Sequence, residues 1–340
     1  MDSNRSLTRN GRQQNLPTRR DVLRAAGAFA GGAAMSQLFP ATLAAVSPGN
    51  ARQSGAAPAS ALSAARAEFG QVPIKTVTLT DKLTLLTGPG GNVVVLNGAD
   101  GKLLVDTFTQ DAWERTKKAV DGLGAAPVQF VVDTHWHWDH TDNNAHFHDA
   151  GAKLIAHENT RKRMMQPHDL EVLNLHIDAS PADAWPEHTF RESYQMGFSG
   201  EHVALGYIAP AHTDSDIFVH FETSNVLHLG DVFFNGIYCY IDRGTGGSIG
   251  GMIAGASKML AMIDNSTMIV PGHGPLGNKS DLRKFRDMLV TARSRVRKLK
   301  TSGKTLQESV AAGPFADLDP VWGKGLLSGD QFVQLVYTTL

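Results

Sequence analysis

The sequence predicts a layered α/β domain with helices outside, and three observations carry that expectation. Short β-rich runs separated by turn residues come first, as in an antiparallel meander. Downstream, strand-length apolar runs alternate with stretches of helical periodicity. The 340 residues are 42% hydrophobic and 19% charged, which provides for a sizeable core and argues against a disordered or collagen-like chain. The chain shows no repeat of the length, roughly 20–50 residues, that solenoids and propellers require.

In chain order, the β-rich runs are 74–80, 83–87, 93–97 and 103–106, separated by Asp81, by Gly88-Pro89-Gly90-Gly91 and by Ala99-Asp100-Gly101. A helix is expected over 112–123, from Ala112, Ala119, Val120 and Leu123, and Gly124 ends it. A buried strand over 128–132 follows. After it come a strand at 153–156, a helix from Glu158, and strands at 202–208, 217–221 and 226–229. A helix over 252–263, a strand at 268–270 and a long basic helix over 279–300 complete the pattern. Residues 166–192, with Pro167, Pro181 and Pro186 and little periodicity, read as an inserted loop or lid.

Charge and cysteine content narrow the function. Thirty-two Lys and Arg against 33 Asp and Glu leave a net charge of −1, so there is no overall cationic field for nucleic acid. The single cysteine, Cys239, rules out an intrachain disulfide, a thiolate zinc cluster and a Cys-x-x-Cys redox pair. With 14 histidines, a bound metal must be held by imidazole and carboxylate.

The first 45 residues differ from the rest. Six arginines, no lysine and two acids give them +4, which against the total of −1 leaves −5 on the remaining 295 residues. Arg19-Arg20 precedes a weakly apolar stretch over 25–38 and a small-residue tract over 41–45, an order that reads as an export signal over residues 1–45. A stable membrane span takes roughly 20 strongly apolar residues, and this Gly- and Ala-rich stretch falls short of that. The arginine pair resembles a twin-arginine signal, which implies a periplasmic or secreted bacterial protein. Residues 46–67, rich in Ala, Ser, Gly and Pro, read as a flexible linker, and 68–340 as one catalytic domain.

Chemistry concentrates at strand ends. Strand 128–132 runs into Thr134-His135-Trp136-His137-Trp138-Asp139-His140. In extended chain, side chains two apart share a face, so His135 and His137 address one point while Asp139 and His140 address a second nearby. His212, Asp231 and His273 each close an apolar run in the same way, the last two after Gly230 and Gly272. Five histidines and two carboxylates make a complement for two adjacent ions.

Those seven residues carry a resemblance to the metallo-β-lactamase fold superfamily, whose pattern is His-x-His-x-Asp-His followed by a lone His, an Asp and a last His. The resemblance covers about residues 72–273 and implies an αββα sandwich with the site at one edge of the two sheets. It further implies that His135, His137 and His212 hold one Zn2+, that Asp139, His140 and His273 hold a second, and that Asp231 bridges them. The implied reaction is hydrolysis of a carbonyl bond in a small molecule (lactam, lactone, ester or thioester) by a metal-bridged hydroxide, with Asp139 as a catalytic group. The carboxylate at Asp231 is closer to glyoxalase-II-like thioesterases and lactonases than to secreted β-lactamases that carry Cys or Ser there. Position 234 is Phe where acyl-homoserine lactonases carry Tyr, with Tyr238 and Tyr240 close after it. The alternative is a non-hydrolytic or redox, iron-binding member of the same fold.

The remaining residues of note have plainer expectations. Cys239 reads as a buried structural thiol. His146, His148 and His157 read as surface groups or hydrogen-bond partners behind the ligands, and Thr213 and Asp214 read as such hydrogen-bond partners. Trp136 and Trp138 should point away from the metals into the core. The basic residues of 279–300 read as a solvated helix face.

Overall fold

The computed structural model describes residues 60–340, so the expected export signal and most of the expected linker lie outside the described residues. Two β-sheets form the centre. The first runs β1 (Lys75–Thr78), β2 (Leu83–Thr87), β3 (Val93–Gly98), β4 (Gly101–Val105), β5 (Val128–Val132), β6 (Lys153–His157) and β9 (His188–Phe190). Strands β1 to β4 form an antiparallel meander, and β4, β5, β6 and β9 are parallel. The second sheet runs β10 (Ser193–Phe198), β11 (Glu201–Tyr207), β12 (Ile217–Phe221), β13 (Val226–His228), β14 (Met268–Val270) and β15 (Gly277–Asn278), with β13 and β14 parallel.

Side-chain alternation makes the layers. Along β3, Val94 and Leu96 pack between the sheets with Leu205, Val219 and Val270 of the second sheet, while Val93 and Val95 face outward. The outward face of the first sheet is covered by α2 (Trp113–Asp121) and α4 (Asn144–Asp149), through Val120 and Phe147, and α5 (Glu158–Met164) follows β6. In the second sheet, Leu227 and Ile269 turn outward against α6 (Ile249–Met262), α7 (Lys279–Thr301) and α10 (Gly329–Thr338). The result is the four-layer αββα sandwich that the resemblance implied.

Helix α7 buries Leu282, Phe285, Met288, Leu289, Ala292 and Val296 at spacings of three and four, which leaves its basic residues on the solvent side. A capping box between Asn278 and Asp281 starts it. Two shorter helices, α8 (Leu306–Ala311) and α9 (Asp319–Trp322), lead to α10.

Two expectations are corrected, and one strand was missed. The linker does not extend to residue 67, because Ala61–Gly70 forms helix α1. Ser60 caps it, and Leu62, Ala65 and Phe69 line one buried face. Burying Leu62 and Phe69 is worth roughly 1.5–3 kcal/mol each, enough to hold a helix whose composition alone reads as disordered. Residues 166–192 are not a plain loop: they hold the hairpin β7 (His168–Leu170) and β8 (Leu175–Ile177), which buries Leu170, Leu173, Leu175 and Ile177, and then the sheet strand β9. Strand β10 was not expected, since its exposed face offers little alternation.

Candidate metal centre

Every residue of the proposed pattern sits just beyond a strand of the two sheets. β5 feeds the loop from Asp133 to α3 (Trp138–Thr141), β11 ends before the loop that carries His212, and β13 and β14 end before Asp231 and His273. Both sheets present these ends at one edge. Two groups result: His135, His137, His212 and Asp231 in one, and Asp139, His140 and His273 in the other.

In the first group, His137 Nδ1 lies 3.1 Å from His135 Nε2 and 2.9 Å from His212 Nε2. Asp231 Oδ2 stands 3.8 Å from His135 Nε2 and 3.4 Å from His212 Nε2. In the second, His273 Nε2 lies 3.3 Å from His140 Nε2 and 3.2 Å from Asp139 Oδ2. Asp231 faces both, with Oδ1 3.2 Å from His140 Nε2 and Oδ2 3.5 Å from His273 Nε2.

The hydrogen bonds behind the imidazoles decide which nitrogens carry protons. His212 Nδ1 donates to the Tyr240 carbonyl at 2.8 Å, and His137 Nε2 donates to Asp242 Oδ2 at 3.3 Å. His140 Nδ1 donates to Asp106 Oδ2 at 2.7 Å. The Thr134 hydroxyl gives its hydrogen to Asp106 Oδ2 at 2.8 Å, so it accepts from His135 Nδ1 at 3.1 Å. The nitrogens that converge on the first group are therefore the unprotonated ones. Lone pairs meeting at 2.9–3.1 Å repel unless a cation stands between them. Tetrahedral ligands about 2.0–2.1 Å from a zinc ion stand roughly 3.3 Å apart, so these spacings fit a metal. Asp231 Oδ1 points the same way, since it is buried with no hydrogen-bond donor among the described residues.

Electrostatics agree with the geometry. Burial pushes His135 well below the ordinary imidazole range and His212 down to about 4, which keeps both neutral. Burial also works against charge on His273, but Asp231 and Asp139 overcome it and raise the group to about 9. His140 is raised as well, against its burial, by Asp231, Asp139 and Asp106. Three carboxylates thus draw positive charge into this pocket.

Close backbone approach shapes the cluster. A Cβ on Gly272 would stand 1.9 Å from Asp231 Oδ1, and one on Gly91 would stand 2.0 Å from His140 Cε1. Only glycine fits at either position.

Several supporting residues were not expected. Asp106, in a left-handed conformation at φ 65°, accepts from Thr134 and His140, and Asp242 orients His137. Asp216 is pushed up to about 7 by burial and accepts from the Thr213 hydroxyl and from the backbone N–H groups of His212 and Thr213. Thr213 therefore supports His212 through Asp216. Asp214 does not back a ligand: it pairs with Arg163 at 2.7 Å. The signal for Asp106 was present in the sequence, an acid directly after an apolar strand, as at Asp231.

The other expectations divide. Cys239 is buried, and burial pushes its thiol well up. His146 stacks on Trp113, His157 stacks on Tyr207, and His148 is exposed; none of the three joins the cluster. Trp136 packs beside His137 in the core, whereas Trp138 is corrected, because its ring lines the cleft over the metal groups. Tyr240 also lines that cleft, while the Tyr238 hydroxyl donates to Asp319, away from it. No helix among the described residues is long and apolar enough to cross a membrane.

Comparison with known proteins agrees with this architecture. The family model of the metallo-beta-lactamase superfamily matches residues 86–277, more than half of the chain, and the chain belongs to that superfamily. Among solved structures it is similar to a metallo-beta-lactamase from Pontibacter korlensis, at 17% identity and a TM-score of 0.53, over 64% of this chain and 98% of that one. It is also similar to the stereoselective inverting sec-alkylsulfatase Pisa1 from Pseudomonas sp., at 17% identity and a TM-score of 0.56, over 80% of this chain. The match spans 51% of the alkylsulfatase. At these identities the likeness is one of fold.

Proposed function

We propose that the protein is an exported dinuclear zinc hydrolase that cleaves a carbonyl bond in a small molecule. The observation that carries this reading is the convergence of unprotonated imidazole nitrogens of His135, His137 and His212 on one point, with Asp231 between it and the Asp139, His140 and His273 group. Three imidazoles and a carboxylate suit zinc better than a hard cation, which prefers oxygen. His135, His137 and His212 would hold the first ion, Asp139, His140 and His273 would hold the second, and Asp231 would serve both. When bound, the two ions supply Lewis acidity toward a carbonyl oxygen and make water acidic enough to act as a nucleophile near neutral pH.

The chain's own residues do the rest. Asp106, Asp242 and the Tyr240 carbonyl fix the imidazole tautomers, so no reorganisation is needed when substrate arrives. Asp139 lines the cleft, and its carboxylate accepts a hydrogen from the attacking water, which orients it. Export rests on Arg19-Arg20 and the weak apolar run after it.

Metal analysis combined with a panel of β-lactams, lactones, esters and thioesters on the zinc-loaded chain tests the proposal. About two zinc ions per chain with turnover of at least one class is the expected result. Iron in the purified protein, with no hydrolysis after zinc loading, would favour the redox alternative.

A further inference from the structure

We propose that the cleft over the metal groups takes a neutral ester or lactone with an aliphatic chain, an inference that rests on the hydrolase reading above. The walls of the cleft carry it. Phe69 comes from α1, Leu170, Leu173 and Leu175 come from the β7–β8 segment, and Leu326 comes from the loop between α9 and α10. Trp138, whose ring meets Phe69 edge-on at 5.5 Å, joins them. Two of the three walls, α1 and the loop at Leu326, lie outside residues 86–277, so the shared fold does not dictate their composition.

The polar groups that face the cleft are metal-group side chains and Tyr240, and no lysine or arginine lines it among the described residues. The nearby Arg66 and Arg163 line a separate cavity and are held by Asp142 at 2.7 Å and Asp214 at 2.7 Å. A carboxylate, sulfate or phosphate remote from the reacting carbonyl would thus be desolvated against leucine with no counter-charge. An aliphatic chain gains on the same surface, at about fourfold in affinity for each methylene buried. In the reaction, water adds to the carbonyl carbon, the acyl–oxygen bond breaks, and the departing oxygen takes up the proton. One water is consumed, and an acid and an alcohol form, joined as a hydroxy acid when the substrate is a lactone.

The test uses the full zinc-loaded chain with two neutral series, p-nitrophenyl esters from acetyl to dodecanoyl and alkyl-substituted γ-lactones, and with a β-lactam bearing a free carboxylate. Binding of N-alkylacetamides, followed by tryptophan fluorescence, is a readout independent of turnover. The expected result is a kcat/KM that climbs by about fourfold per methylene until the walls are filled, with amide affinity climbing in parallel. Leu173→Ala should flatten both slopes. Turnover of short esters with no chain-length slope in either readout overturns the aliphatic assignment and leaves the hydrolase reading standing. Amide binding with a slope but no turnover of any ester overturns the ester or lactone assignment through failure of the hydrolase reading itself. A preference for the carboxylate-bearing β-lactam over every neutral substrate also overturns the inference.

Discussion

Asp139 is the most open of the candidate ligands' carboxylates, its side chain 13% exposed against 5% for Asp231. Asp139→Asn keeps the size but removes the charge that, on the proposed reading, orients the attacking water and holds the second metal. A fall in kcat of at least about 100-fold, equivalent to about 2.7 kcal/mol, is expected, with the melting temperature of the metal-free protein little changed. If Asp139 served only as the first-turn acid of α3, the mutant would lose stability, roughly 0.3–1 kcal/mol, and keep its turnover. Measuring kcat, zinc content and melting temperature on one preparation separates the two roles. Asp106 invites a subtler substitution. Its Oδ1 accepts from the Thr134 N–H and its Oδ2 from the Thr134 hydroxyl and His140 Nδ1. Asp106→Asn tolerates the left-handed backbone, but with the amide oxygen on Thr134 N–H its NH2 faces His140 Nδ1. The imidazole must then carry its proton on Nε2, the atom the second metal needs. The expected outcome is a folded protein whose second zinc binds about 10–100-fold more weakly, measured by competition with a chromophoric chelator. Equal affinity for both ions in the mutant would show that Asp106 does not set the tautomer.

At the scale of elements, α1 is tied to the ligand loop by Arg66, whose Nε and Nη2 donate to the two Asp142 oxygens at 2.8 Å and 2.7 Å. Burial raises Asp142 to about 6, while Arg66 pulls the other way. Because the folded-state value is raised, the native protein binds the proton more readily than the unfolded chain. The penalty of the ionised carboxylate is therefore absent at low pH and grows as pH rises through about 6. Removing Arg66 raises the carboxyl further. Arg66→Ala should thus lower the melting temperature more at pH 8 than at pH 5, and equal losses at both would show that the charge pair contributes nothing. This helix also marks the limit of what the sequence discloses. Strands such as β3 and β12 are legible because one or both faces are buried and their residues are β-branched or aromatic, and the long α7 because its apolar stripe keeps helical spacing. Helix α1 is hidden in Ala- and Ser-rich chain, since its stability comes from Leu62, Phe69 and Arg66 meeting partners far away in sequence. The site divides in the same manner. Its seven candidate ligands stand out because four fall within six residues and the others close apolar strands, whereas Asp242 is an isolated acid whose role depends on His137, 105 residues earlier.

At the scale of the whole molecule, two consequences follow from a site assembled at the edge of both sheets. The first concerns the proposed export: a twin-arginine route carries folded protein, and a fold that would be completed by metal loading before transit suits it. Changing Arg19 and Arg20 together to Lys should hold the precursor in the cytoplasm, and a periplasmic level equal to wild type in a fractionated culture would dismiss the arginine pair as the signal. The second concerns stability. The two groups take His135 and His137 from the loop after β5 in the first sheet, Asp139 and His140 from α3 that follows it, and His212, Asp231 and His273 from loops of the second. Unfolding either sheet breaks both groups, so bound metal belongs to the native state and stabilises it by mass action. At free zinc about 1,000-fold above the dissociation constant the gain is about 4 kcal/mol. For a domain of this size each kcal/mol moves the melting temperature by roughly 2–4 °C, so chelation should lower it by roughly 8–16 °C. The loss should reverse on adding zinc and grade with its concentration. Removing the metal also leaves the His135, His137 and His212 nitrogens facing one another at 2.9–3.1 Å, a repulsion that the loops relieve by moving apart. Amide exchange should therefore rise first in the segments that carry the ligands, ahead of the strands behind them. A melting temperature that stays constant across the zinc titration, in protein shown to gain and lose the ion, would mean that the two groups do not clamp the sheets together.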